Sequence, residues 1–234
     1  MAITAAWPKG IFYDSMTTLL DWRTPGFNAA QSILRKYDSQ ADPQRFYATW
    51  YRLMAAFTLE SAFGSGYQDL IERYREALEL AMAYHKVPGT GDDVKAMNWD
   101  AIQPFPETLD ALREQQKFTK VIVFSNAGTE YLRTPMAKLK GFTPDYVNDA
   151  QTINMSKPSP RAYNRVLSDN GLRVEDVLYC AAPQWDVQGA MALGMKAVWL
   201  NRDGRTLDGI RPDFEAKNLH EVTQIARQNP GKVA

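Results

Sequence analysis

The chain has 234 residues, 45% of them hydrophobic, with 27 basic and 27 acidic side chains and therefore no net charge. That length buries a core as one large unit or as a core with a smaller insert, and the charge balance offers no field for nucleic acid or an anionic membrane. One cysteine excludes an internal disulfide, no apolar run approaches the roughly 18 residues of a membrane span, and MAITAAWPKG carries no leader pattern, so a soluble cytoplasmic protein is expected.

The apolar run GIFYD (10–14) reads as a buried strand that ends on a carboxylate, Asp14. Three helical stretches follow with no strand between them: FNAAQSILRKYD (27–38), DPQRFYATWYRLMAAFTLESAF (42–63) and GYQDLIERYREALELAMAYHKV (66–87). VPGTGDD breaks that pattern, and QPFPETLDALREQQ is a proline-marked entry into a further helix. The strand pattern returns in KVIVFSN (120–126), DVLYCAA (176–182) and KAVWLN (196–201). Helices are expected across TEYLRTPMAKL and WDVQGAMALG, the second closing on Gly194 as a C-cap. This alternation predicts an α/β fold, a Rossmann-like doubly wound parallel sheet formed by residues 1–20 and 100–234. A helical cap, residues 21–99, is inserted after the first strand.

Ligands of open α/β sheets sit outside the carboxyl ends of the strands, near the switch point. Asp14, Ser125, Asn126 and Asp186 are the polar residues expected there, beneath an insert able to exclude water. Taken alone, Asp14 reads equally well as a carboxylate capping a turn. MSKPSPRAY adds Lys157 and, six residues on, Tyr163.

Asp14 in DSMTTL, Ser125 at the next strand end, Lys157 and Asp186 follow one another in an order that resembles the haloacid dehalogenase superfamily over essentially the whole chain. The resemblance implies an aspartate nucleophile. Phosphatases of that superfamily need a second aspartate two residues later, and here Met16 can neither donate a proton nor bind a hard cation. WDVQGA, WLNR and the KPxxRxY pattern are instead similar to the metal-free L-2-haloacid dehalogenases. By that resemblance Asp14 attacks C2 of a small 2-substituted carboxylic acid to form an ester, which water then cleaves. Asp186 is the implied base or water orienter, and Lys157 supplies the charge that a metal supplies elsewhere. Thr18, Ser125, Asn126 and Tyr163 are implied to hold the substrate carboxylate and the nucleophile. No cofactor and no metal are implied.

Three departures cluster near this site. The motif glycine is Thr17, which is tolerable if the turn keeps φ negative. The late Ser-Ser-Asn is Ala181, Ala182 and Pro183. Dehalogenases carry a cap arginine directly after a tryptophan; here Tyr51 follows Trp50, and Arg52 lies one place, about 100°, further round a helix. A departing halide needs donors or cations, whereas a protonated amine is suited by aromatic faces, which Trp50, Tyr51 and Trp185 offer. One member of the dehalogenase-like group opens L-azetidine-2-carboxylate to 2-hydroxy-4-aminobutyrate. The favoured expectation is that ring opening; the alternative is an (S)-2-haloacid dehalogenase. The altered motifs also allow a non-catalytic binding protein, against which the retention of Asp14, Lys157 and Asp186 speaks. Cys180 reads as a small buried hydrophobe, and His85 and His220 lack companions at ligand spacing. The expected partner is a small carboxylate substrate, with no nucleic acid and no membrane, and a homodimer is left open.

Overall fold

The computed structural model describes residues 7–64, 66–207, 209 and 211–228. Most of MAITAAWPKG and the last residues assigned to the core lie outside them.

β1 (Gly10–Tyr13) is buried at every position. The chain then turns through β2 (Leu20–Asp21) into α1 (Arg23–Lys36), α2 (Pro43–Ser61) and α3 (Leu70–His85). α1 begins four residues before the expected start because Asp21 accepts from the Thr24 amide and hydroxyl at 3.1 and 2.7 Å, and Pro25 fits a first helical turn. Asp42 caps α2 by accepting from the Arg45 amide at 2.8 Å, and Asp69 caps α3 through the Ile71 amide at 2.8 Å. The apolar faces meet along spacings of four: Phe46, Trp50 and Met54 on α2, Ala77, Leu78, Ala81 and Met82 on α3. Two 3₁₀ turns, Gly91–Ala96 and Trp99–Ala101, lead back to β3 (Gln103–Pro104). β3 runs antiparallel to β2, with Leu20 opposite Pro104, so a short ribbon ties the entry of the helical segment to its exit.

From there the chain alternates. α4 (Thr108–Gln115), β4 (Lys120–Ser125), α5 (Thr129–Ala137), β5 (Tyr146–Asp149), α6 (Ala150–Ile153) and α7 (Pro160–Asp169) come first. β6 (Val177–Ala181), α8 (Gln184–Ala192), β7 (Lys196–Leu200), β8 (Phe214–Ala216) and α9 (Leu219–Gln228) follow. The fold is α/β, a six-stranded parallel sheet of order β5-β4-β1-β6-β7-β8. All four expected strands lie in it. Within this sheet the two strands that no sequence pattern marks, β5 and β8, form the edges. Edge strands have one paired side and little burial: Tyr146 is 43% and Val147 47% exposed, so no apolar run marks them. Gly194, at φ +93, ends the helical turn just past α8, as expected of a C-cap glycine.

Successive residues of β1 serve opposite faces. Ile11 and Tyr13 join an apolar cluster that continues into the helical segment through Leu20, Ala30, Phe46 and Leu78. Phe12 joins Ile122, Phe124, Tyr163 and Tyr179 on the other face. Each such side chain, fully buried, stabilises the fold by about 1.5–3 kcal/mol before entropy is counted. Among the described residues no helix is long and apolar enough to cross a membrane.

Candidate active site

β1 pairs with β4 on one side and β6 on the other, Tyr13 standing opposite Val123 and Cys180. This parallel register brings Asp14, Ser125 and the start of α8 to one sheet edge. The loop after Asp14 curls tightly, with the Leu19 and Leu20 amides donating to the Ser15 carbonyl at 2.9 and 3.0 Å. Thr18 donates to Asp14 Oδ2 at 2.8 Å and accepts from the Ala182 amide at 2.9 Å, joining the ends of two strands. Thr17 is at φ 66, so the condition under which threonine replaces the motif glycine without strain is not met. A β-branched residue in that region carries strain of order 1–3 kcal/mol, which the tightness of the turn imposes.

Lys157 is fully buried. Its Nζ stands 2.9 Å from Asp14 Oδ1, 2.7 Å from Asp186 Oδ2 and 3.2 Å from the Tyr179 hydroxyl, which engages all three ammonium protons. Asn126 holds the lysine's backbone from both sides, donating to the Lys157 carbonyl at 2.9 Å and accepting from its amide at 2.8 Å. Burial pulls Lys157 down, but two carboxylates outweigh it and hold the ammonium above its ordinary range. Burial pushes the Asp14 carboxyl up; Lys157 draws it back, Asp186 repels it, and the net direction is upward.

Asp186 has no exposed surface. Its Oδ1 accepts from Tyr163 at 2.6 Å and from Tyr179 at 2.8 Å while Oδ2 takes Lys157. Burial foremost, then the Asp186 charge, pushes both phenols well up, so they remain donors. The glycine of WDVQGA has a packing reason: a Cβ on Gly189 would stand 2.7 Å from the Tyr163 hydroxyl. The structure places Asp186 behind Lys157 and outside the cavity lining, and it places the Tyr163 hydroxyl on Asp186. Tyr179 was not anticipated, because in VLYCAA it has no local mark that separates it from a core aromatic.

A cavity of about 80 Å³ opens above Asp14. Of the expected residues, Asp14, Tyr51, Ser125, Asn126 and Trp185 line it. Thr18, Lys157, Tyr163 and Asp186 stand behind the nucleophile. Trp50 and Arg52 do not belong to it. Trp50 is fully buried, its Nε1 donating to the Tyr74 carbonyl at 3.1 Å, and Arg52 is exposed. With Trp50 facing α3, the next residue, Tyr51, is turned to the cavity and Arg52 to solvent. Trp22 and Tyr74 join the wall unannounced, their rings 5.5 Å apart, together with Met16 and Met54. Ser125 accepts from the Ser15 hydroxyl at 2.7 Å and the Ala127 amide at 3.1 Å, leaving its own proton for a ligand. Cys180 is buried and its thiol pushed up by that burial; His85 bonds Thr49 at 2.9 Å and packs edge-on to Phe46. Among the described residues no group of three or more His, Cys, Asp or Glu is placed to hold a metal. A divalent ion does not fit beside Asp14, since the Lys157 ammonium already spans the two carboxylates and Met16 presents a thioether.

Residues 13–200 match the family described as haloacid dehalogenase-like hydrolases. An (S)-2-haloacid dehalogenase of Pseudomonas sp. (strain YL) is 24% identical over 96% of this chain and 97% of its own length. The L-2-haloacid dehalogenase from Xanthobacter autotrophicus superposes with a TM-score of 0.75 at 20% identity, over 94% of this chain and 98% of that one. A HAD hydrolase from Bacillus subtilis bound to magnesium superposes at 0.79 and 13% identity, over 94% and 99%. Structural likeness at such identities shows the fold alone. A dehalogenase and a magnesium-bound hydrolase share it, so the side chains around Asp14 must separate the chemistries.

Proposed function

The chain belongs to the haloacid dehalogenase-like hydrolases, and from that premise we propose that it displaces the C2 substituent of a small 2-halocarboxylic acid through an Asp14 ester. The observation that carries the reading is that Asp14 is the one charged side chain among the residues lining a small, mainly apolar cavity, with one oxygen on Lys157 and the other on Thr18. Relatives named as (S)-2-haloacid dehalogenases and aligned over nearly their whole length support halide as the leaving group. They shift the preference away from the cyclic amine favoured by motif departures alone.

An Asp14 oxygen attacks C2, the C2–halogen bond breaks, and the halide leaves with the electron pair. Desolvation strengthens the nucleophile while Lys157 and Thr18 keep it ionised and aimed. Water then adds to the Asp14 carbonyl carbon, with Lys157 and Thr18 donating to the oxygen that becomes negative. The ester bond breaks, the 2-hydroxy acid takes one proton of the water, and the other is released with the regenerated carboxylate. Asp186, held by two tyrosines, keeps Lys157 in position. Ser125 offers its hydroxyl to the substrate carboxylate. The helical segment, residues 21–99, acts as the cap, contributing Tyr51, Met54 and Tyr74 to the wall. Incubation with L-2-chloropropionate tests the reading: stoichiometric chloride and lactate support it, and no release from any small 2-haloacid overturns it.

One observation favours a second reading. Among the described residues no cation lines the cavity, and Trp22, Tyr51, Tyr74 and Trp185 give it aromatic walls. Such a lining suits opening of L-azetidine-2-carboxylate, where the ring nitrogen leaves with the C–N electron pair and later takes up the released proton. The same incubation with that substrate, followed by assay for 2-hydroxy-4-aminobutyrate, distinguishes the two.

A further inference from the structure

Beside the cavity, the seam between the helical segment and the sheet holds a hollow of about 310 Å³. Ser61, at the end of α2, lines it from the cap; Asn154, Ser156, Ser159 and Arg161 line it from the core. Two links tie it to the cavity above Asp14. On α2, Thr58 lines the cavity and Ser61, three residues on and on the same side, lines the hollow. In the core, Asn126 lines the cavity and grips the backbone of Lys157, and Ser156 is the residue before that lysine. The two spaces therefore follow one another along the seam, and the turn between them carries Lys157.

The wall is set for an anion. Among the described residues no carboxylate belongs to it, and its one charged side chain is Arg161. Arg161 is the arginine of the KPxxRxY pattern; it stands exposed at the rim and pairs with no carboxylate among the described residues. Ser156 is only 5% exposed, yet its hydroxyl bonds no described protein group and opens on the hollow. A hydroxyl so deeply buried is rarely left without a partner. Ser159 is the N-cap of α7, but its side chain bonds no amide of the first turn. That turn therefore lacks the acceptor an N-cap serine ordinarily gives. The Ser159 amide donates to the Ser156 carbonyl at 3.1 Å, which holds the two serines on one turn. Asn154 Oδ1 is already taken by the Tyr67 amide at 2.8 Å. A buried hydroxyl, an uncapped helix N-terminus and an unpaired guanidinium thus meet around one missing acceptor.

We propose that this hollow is an oxyanion site that holds the carboxylate of a small acid at the seam, on its way to or from the nucleophile. One guanidinium with no carboxylate beside it matches a single negative charge, and its paired N–H groups fit the two oxygens of a carboxylate. The two serine hydroxyls and the first-turn amide of Arg161 donate to the same oxygens. Only the source of the carboxylate rests on the reaction proposed above; the oxyanion chemistry rests on the wall itself. Inorganic phosphate shares that chemistry and is the competing source.

The probes are propionate, which has no leaving group, and inorganic phosphate. Each is titrated into the full chain at constant ionic strength while the amide NMR shifts of Ser156, Ser159 and Arg161 are followed. Propionate should move these signals saturably, and Arg161→Gln should weaken the response on the order of 10-fold, the worth of one hydrogen bond to a charged group. Ser156→Ala should weaken it as well, and carries the test if Arg161→Gln does not fold by circular dichroism. The Ala127 amide reports entry into the cavity above Asp14 and should respond alike in wild type and variants. Loss of both responses together would place the effect in that cavity and overturn the proposal. No saturable shift in wild type overturns it too, as does a shift that survives unchanged in a folded variant. Tighter binding of phosphate than of propionate overturns the carboxylate assignment. The titration involves no turnover, so it stands or falls apart from halide release.

Discussion

Lys157 Nζ lies 2.9 Å from Asp14 Oδ1 across 143 positions of sequence, with neither side chain more than 9% exposed. On its other side Asp186 stands 2.7 Å away. One buried ammonium thus separates two buried carboxylates, and the site's chemistry and much of its stability rest on that arrangement.

Lys157→Met leaves the carboxylates facing one another without compensation. Loss of a buried partner costs about 3–5 kcal/mol, so urea unfolding should show a destabilisation of that order. Adding Asp186→Asn should recover part of the stability and none of the activity. Recovered turnover in the double variant would defeat the role given to Lys157.

Asp14→Asn should abolish turnover with the fold intact. In single-turnover reactions run in heavy-oxygen water, label should enter Asp14 before it reaches product. Label that reaches product alone would replace the ester with direct attack by water.

Activity needs Asp14 ionised, and burial holds its carboxyl above the ordinary aspartate range. The rate is therefore full above that raised value and falls as pH drops through it, so the acid limb should lie higher than for an exposed aspartate. Lys157 is raised as well, and its contribution to stability is complete below the ordinary lysine range and lost as pH climbs through the folded value. The limbs of the rate profile belong to the coupled set and not to single residues. A kcat/KM profile with an acid limb at or below the ordinary aspartate value would contradict this.

With Lys157 in the cation's place, exhaustive EDTA treatment should leave activity unchanged and added magnesium should not raise it. A magnesium requirement would move the chain toward the phosphatases of its family.

Three neighbours on α2 should behave differently. Trp50→Ala opens a hole in the core and should cost about 3–5 kcal/mol of stability. Tyr51→Ala should lower kcat/KM on the order of 10-fold, equivalent to about 1.4 kcal/mol, with little loss of stability. Arg52→Ala should stay within about 0.5 kcal/mol of wild type and leave turnover alone. Halide release that collapses in Arg52→Ala would mean that the cap moves far from the arrangement seen here.

Much of the site was legible in the chain itself. Asp14, Ser125 and Asn126 are recognisable because an apolar run that stops on a polar residue must end at a sheet edge, and parallel strands bring such ends together. Trp50 reads from the sequence either as cap-helix packing or as an aromatic wall of the cavity, and its spacing with Phe46 and Met54 on one helical face favours the packing that the structure shows.

Other features required the tertiary structure. Periodicity relates side chains on one helix by angle, yet only packing against α3 decides which angle faces the cavity, and it turned Tyr51 inward and Arg52 to water. Asp186 is sealed because Tyr163 comes from α7 and Tyr179 from β6, elements whose approach no local pattern encodes. Arg23 and Arg205 are likewise remote in sequence and meet only where α1 and the chain after β7 converge. Residue identity and local spacing determined which groups carry chemistry; long-range packing, where burial decides pKa and partner, determined which of them face the cavity and which only support those that do.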